Sequence, residues 1–129
     1  MGSSVVVAFG LALCVSLCLA EKIAFPVLAD KGESCKDACA TRQSVCDIDD
    51  WKTEQVLDHF KGLNVKCQFD DRTWWVFDQP AIVVDPLDDN FGRCLGWAKK
   101  PVVFDCSARW PTARRLCQCS RELLCPRFA

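Results

Sequence analysis

The chain has 129 residues, 16 basic and 17 acidic side chains for a net charge of −1 at neutral pH, and 11 cysteines. Its length corresponds to one domain, and its near-neutral balance gives no electrostatic footprint for a nucleic acid or an anionic lipid as partner. So many cysteines in so short a chain point to an oxidising compartment and a disulfide scaffold.

The first element is the uncharged apolar run Val5–Ala20, VVVAFGLALCVSLCLA, followed by Glu21 and Lys22. It is shorter than the roughly 20 residues of a membrane span and fits the apolar region of a secretory signal peptide ending at small Ala20. Residues 1–20 are therefore predicted to be a signal peptide, with a secreted mature chain and no membrane attachment after cleavage. An uncleaved signal anchor is the alternative. Gly2 does not fit myristoylation, because Val6 stands where Ser or Thr is needed. Nine cysteines follow the signal: Cys35, Cys39, Cys46, Cys67, Cys94, Cys106, Cys117, Cys119 and Cys125.

Residues 21–31, with Pro26, read as an extended N-terminal arm, and residues 32–129 as one cysteine-rich domain. Ser34 is an N-cap candidate with Asp37 three residues on. Cys35, Cys39 and Cys46 share one stripe at helical spacing, which predicts one helix carrying three sulfurs to separate partners in later segments. A second helix is predicted from Asp50 or Trp51 to about Lys61, stopped by Gly62. The period then changes. Val65, Cys67 and Phe69 alternate as in a strand, and TWWVF, AIVV and VVFDC are further strand-like runs. DPLDDNFG reads as a turn or loop. After Pro111, TARRLCQCSRELLC reads as a last helix ending at Pro126. The predicted class is α+β: a small disulfide-rich single domain with two N-terminal helices, several short antiparallel strands and one C-terminal helix.

The cysteines and their neighbours form an ordered pattern. Gly32, Ser34, Cys35, Lys36, Cys39 and Cys46 make G-x-S-C-K-x-x-C with a third cysteine seven later. Val65 and Cys67 give V-x-C. Asn90 precedes Cys94 by four, Phe104 and Cys106 give F-x-C, and Arg115, Cys117 and Cys119 give R-x-C-x-C, with Cys125 beyond. This resembles the C-terminal cysteine-rich segment of glycosyltransferase family 18, the alpha-1,6-mannosylglycoprotein 6-beta-N-acetylglucosaminyltransferases, Golgi enzymes of protein glycosylation that branch N-glycans. The likeness runs from Gly32 to Cys125. The family's catalytic region, which binds the nucleotide sugar, has no counterpart here. The family pattern also carries one more cysteine, three beyond the position of Cys125, where this chain reads Pro126-Arg127-Phe128-Ala129.

The resemblance implies a secreted, non-catalytic module that binds a glycan or glycoprotein or serves as a structural unit. The alternative is a partial chain of a Golgi-lumen transferase. It also implies that Cys125 lacks its partner, leaving Cys35, Cys39, Cys46, Cys67, Cys94, Cys106, Cys117 and Cys119 to pair and opening the way to a disulfide-linked dimer.

No catalytic, cofactor-binding or metal-binding residues are assigned, and no cofactor is expected. The single histidine, His59, stands far in sequence from any nucleophile signature, and no phosphate-cradling glycine motif occurs. Asp85, Asp88 and Asp89 read as turn acids rather than a hydrolytic pair. The Cys117-x-Cys119 spacing reads as structural disulfides rather than zinc. Of Trp51, Trp74, Trp75, Trp97 and Trp110, the adjacent Trp74 and Trp75 are the best binding candidates. Neighbours in a strand point to opposite faces, so one of them stands outside a one-sided core.

Overall fold

The structure is a computed structural model, and it describes residues 21–48, 53–70, 77–96 and 104–123. Among them are two α-helices, α1 (Cys35–Thr41) and α2 (Val56–Gly62), and six strands: β1 (Glu21–Leu28), β2 (Val45–Cys46), β3 (Gln68–Phe69), β4 (Ala81–Val83), β5 (Arg93–Leu95) and β6 (Ala113–Leu123). A single 3-10 turn, Thr53–Gln55, leads into α2. The fold is small, mixed α+β and disulfide-rich. None of the described helices is long and apolar enough to cross a membrane.

The strand order is β1-β6-β4-β5-β3, with β2 also paired to β6. β6 is the axis. β1 runs antiparallel along one side of it, from Glu21 opposite Leu123 to Leu28 opposite Leu116. On the other side, β4 takes residues 113–115 and β2 takes Cys119 and Ser120. Residues 21–28, read from the sequence as part of an extended N-terminal arm, form a full strand of the sheet. The Ala29 N–H bonds the Arg115 carbonyl at 2.9 Å. With this register, odd-numbered residues of β1 turn their backbone groups toward β6 and even-numbered ones turn outward. Pro26 therefore sits at an outward position on an edge strand, where its missing N–H costs no ladder bond.

The segment expected to be the C-terminal helix is instead the eleven-residue strand β6. Its residues alternate between two buried faces. Cys117 and Cys119 lie with Val27, Ala29, Cys35, Ala38 and Cys39 on the α1 side. Leu116 lies with Val56, Phe60, Ile82 and Cys94 on the α2 side. A strand flanked by partners and covered on both faces overrides the helical propensity of its Arg, Leu and Glu residues.

The Ser34 side chain caps α1 by accepting the Asp37 N–H at 3.1 Å. The helix ends at Arg42, and Gln43 takes a positive φ of 53°. The Ser44 N–H and hydroxyl then both bond the Cys39 carbonyl, at 3.0 and 2.7 Å, and turn the chain into β2. Cys46 therefore leaves the helix, and the three-sulfur helical stripe is really a helix pair plus a strand residue. α2 begins only at Val56, and Gly62 is its last residue. The sheet is mixed rather than wholly antiparallel, because β3 and β5 run parallel. Of the other strand expectations, TWWVF lies outside the described residues apart from Phe77, and VVFDC is described only from Phe104, which leads into a turn.

Four disulfides join the described residues: Cys35–Cys117, Cys39–Cys119, Cys46–Cys106 and Cys67–Cys94. The first two match two periodicities. Four helical residues rise about 6 Å, and two strand residues rise about 6.6 Å. A C-x-x-x-C on α1 therefore lies in step with C-x-C on β6, with Cα separations of 5.3 and 5.5 Å. On a helix, Cys117 and Cys119 would diverge by about 200° and could not both face α1.

Replacing Cys35 and Cys117 together with alanine is expected to lower unfolding free energy by about 2–4 kcal/mol, measured by guanidinium titration with the other three bonds intact. The effect is expected at the low end, because Cys39–Cys119 already closes nearly the same loop.

Candidate functional site

The largest side chain buried without exposure is a charged one, Arg115. It extends from the α1 side of β6, two residues before Cys117, into a cage of carbonyl oxygens. Its Nε donates to the Asp78 carbonyl at 3.0 Å, Nη1 to the carbonyls of Asp105 and Ala108 at 2.7 Å each, and Nη2 to the Phe77 carbonyl at 3.2 Å. The guanidinium also stacks over Phe104 at 4.8 Å. Burial lowers its pKa to about 10, opposed by the charges of Asp78 and Asp105. It is a cation at neutral pH. Among the basic residues near the C-terminus, Arg115 is thus an interior residue. Arg109 pairs with Asp37 instead, and Arg114 donates to the Ala29 carbonyl.

The same cage orders residues 77–80. Burial pushes the Asp78 carboxyl above its ordinary range, while its own backbone hydrogen bond and Arg115 pull it down. Gln79 is 1% exposed, and neither end of its amide has a hydrogen-bond partner. Gly96, with φ +80°, lies against this segment. A Cβ there would meet the Gln79 Cβ at 2.8 Å and the Pro80 Cα at 2.9 Å.

The acids weighed as a hydrolytic set stabilise a turn. Asp85 accepts from Lys31 at 2.8 Å and from the Leu87 N–H at 3.0 Å, which holds its carboxyl below the usual range. Asp88 accepts from the Asn90 N–H and from the Thr112 hydroxyl. His59 is half-buried on α2, and burial lowers its pKa despite neighbouring Asp58. Among the described residues no His, Cys, Asp or Glu cluster has a metal-holding arrangement. Trp74, Trp75 and Cys125 lie outside the described residues, as do Trp51 and Trp97. Trp110 packs against Ala81, Val83, Leu95 and Ala113.

At the opposite end of β6 the surface opens into two adjoining cavities of about 700 and 420 Å³. Both are lined by Gln43 and Arg121. The larger adds Lys22, Ser44, Val45, Asp47, Ser120 and Glu122, and the smaller adds Phe25, Thr41 and Arg42. Asp47 is engaged by Lys22 and by the Ser120 hydroxyl. Arg121 lies over the Phe25 ring at 5.5 Å. No spacing rule in the sequence marks these residues, because they meet only through the pairing of β6 with β1 and β2. Compared with known proteins, the chain matches no protein-family model and no curated protein.

Arg115→Met takes the guanidinium donors from four carbonyls, of which those of Phe77 and Asp105 keep a backbone N–H donor and those of Asp78 and Ala108 do not, and Arg115→Lys cannot reproduce the planar fork. Both are expected to destabilise the fold by about 3–5 kcal/mol, with the lysine variant no better than partly restored in a chemical denaturation series. Gly96→Ala is expected to cost about 1 kcal/mol or more, read from the same series.

The pH dependence has a defined sign. The folded pKa of His59 is depressed, so its contribution is fully present above the unfolded value of 6.5 and is lost as pH falls through the lower folded value. Unfolding midpoints are expected to decline from pH 7 to pH 5, and His59→Gln is expected to flatten that slope.

Proposed function

We propose that this chain is a disulfide-locked, non-catalytic recognition module, similar to the C-terminal segment of the family 18 transferases, that acts on the secretory route or outside the cell and binds a glycan or glycoprotein. The observation that carries the reading is what the motif residues do. Arg115, Cys117 and Cys119 of R-x-C-x-C, with Cys35 and Cys39 of S-C-K-x-x-C, form two adjacent staples and a buried cation. Residues so deeply engaged supply a frame rather than a reacting group. The polar residues left at the surface are presented by that frame in an open groove, a form suited to contact with an extended, hydroxylated ligand. The same bonds support the reading of an oxidising compartment, since reducing conditions in the cytosol keep such cysteines as thiols.

Two assays test this reading. The purified chain, incubated with UDP-GlcNAc and a biantennary N-glycan acceptor, is expected to yield no product above a blank. Product that rises in proportion to protein would show a transferase instead. On a glycan array the same preparation is expected to bind a subset of saccharides, and a blank array would remove the recognition reading.

A further inference from the structure

We propose that the groove between α1 and the far end of β6 binds a terminal acidic sugar through its carboxylate, with Arg42 and Arg121 as the two guanidinium contacts. The inference rests on the glycan-binding reading above and gives it a site and a ligand class.

Both arginines hang from one disulfide. Arg42 follows Cys39 by three residues and closes α1. Arg121 follows Cys119 by two and lies on the α1 side of β6, over Phe25. The Cys39–Cys119 bond therefore fixes their relative position across 79 residues of sequence. Among the described residues neither forms an ion pair with a carboxylate. Arg42 reaches only the Ala38 carbonyl, at 3.5 Å, and Arg121 meets an aromatic face. The acids nearby are spoken for or shared. Asp47 is bound by Lys22 and Ser120, and Glu122 stands opposite Lys22 in the β1–β6 register. Among the described residues, the lining of the smaller cavity thus holds two cations and no carboxylate.

The remaining lining fits a sugar rather than a bare ion. Phe25 offers an apolar ring beside Arg121, and Gln43 offers an amide donor and acceptor between the two cavities. The positive φ of Gln43 places that side chain on the exposed outside of the turn. A planar carboxylate matches the planar guanidinium fork and accepts two parallel N–H bonds. The pyranose hydroxyls exchange with Gln43 and Thr41, and the apolar ring edge lies on Phe25. A cavity of about 420 Å³ is within the range for a single small ligand. Because the groove is open, the contacts remain partly solvated, and the binding is expected to be weak and salt-sensitive.

The test titrates the full secreted chain with sialyllactose, sulfated lactose and lactose, followed by two-dimensional NMR of nitrogen-labelled protein. Sialyllactose is expected to shift the amides of Phe25, Arg42, Gln43 and Arg121, and lactose is not. Arg42→Gln and Arg121→Gln are each expected to weaken binding several-fold, and the double variant about tenfold or more. Raising salt from about 0.05 to 0.5 M is expected to weaken it further. Both arginines are exposed, so folding is expected to survive, and a disulfide map checks this. Shift mapping on the unaltered chain needs no variant at all. Leu87→Ser, on the distant turn, is expected to bind as the parent does. Sialyllactose bound equally by the double variant, or shifts confined to another surface, overturns the site while leaving the recognition reading intact. Sulfated lactose bound as tightly with the same arginine dependence overturns the carboxylate assignment. Binding of no glycan at all overturns both readings.

Discussion

The whole arrangement depends on a coincidence of two rises. Four helical residues and two strand residues advance by nearly the same distance, about 6 and 6.6 Å. Cys35 and Cys39 can therefore bond Cys117 and Cys119 in step, and only if residues 113–123 are extended. This choice makes β6 the axis and brings β1, β2 and β4 to its sides. It also sorts every later side chain by parity. Cys117 and Cys119 face α1, and Leu116, just before them, faces α2. The second staple adds little loop entropy once the first has formed. Its contribution is alignment, since one bond permits the helix to swing and two do not.

Parity also explains Arg115. An odd residue just before Cys117 must point to the α1 side, but α1 itself ends its coverage at the cysteine pair. The guanidinium extends past the helix into segments 77–80 and 104–108, which lie outside the strands and whose few backbone hydrogen bonds leave the Asp78 and Ala108 carbonyls to it. A buried cation carries a desolvation cost of several kcal/mol. A buried carbonyl without a donor also costs about 1–3 kcal/mol. Each deficit meets the other here: four carbonyls gain charge-assisted donors, and one cation gains four acceptors and the face of Phe104. Cys106, bonded to Cys46, anchors one of these segments covalently within the same cage. Charge, loops and staples are thus one construction, and removing the cation is more disruptive than removing any single peripheral contact.

Much of the outline was legible in the sequence. The cysteine density identified a disulfide-dependent fold, and the mixture of helical and alternating segments identified the α+β class. What failed was the assignment of TARRLCQCSREL to a helix. Its local propensities favour a helix, and the alternation that marks a half-buried strand is masked because both faces are buried. The signal was relational: C-x-C cannot serve C-x-x-x-C from a helix. The burial of Arg115 was hidden for the same reason, since its side is assigned only once β6 is known to be a strand. The two- and three-residue strands β2, β3 and β5 have too few residues to show a period. The groove was not legible at all. Lys22, Phe25, Arg42, Gln43 and Arg121 are ordinary surface residues in sequence, and only the register of β1 and β2 on β6 brings them together.

The division of labour along β6 bears on how such a module can recognise anything. Its motif residues are consumed by the frame from position 115 to position 119, and they leave no unsatisfied chemistry facing solvent. On the proposed reading, recognition falls to residues just past the staples, where the chain is still held but no longer covered. Arg121 is two residues beyond one end of the last disulfide, and Arg42 is three beyond the other. Both are close enough to the bond that their backbones are fixed, yet their side chains remain exposed. Binding a ligand there orders two side chains and little else, which keeps the entropic cost low in a groove whose individual contacts are weak. A frame of this kind tolerates change in the exposed side chains at the rim without loss of fold, because the β1 and β2 pairings that continue there are made by the backbone of β6.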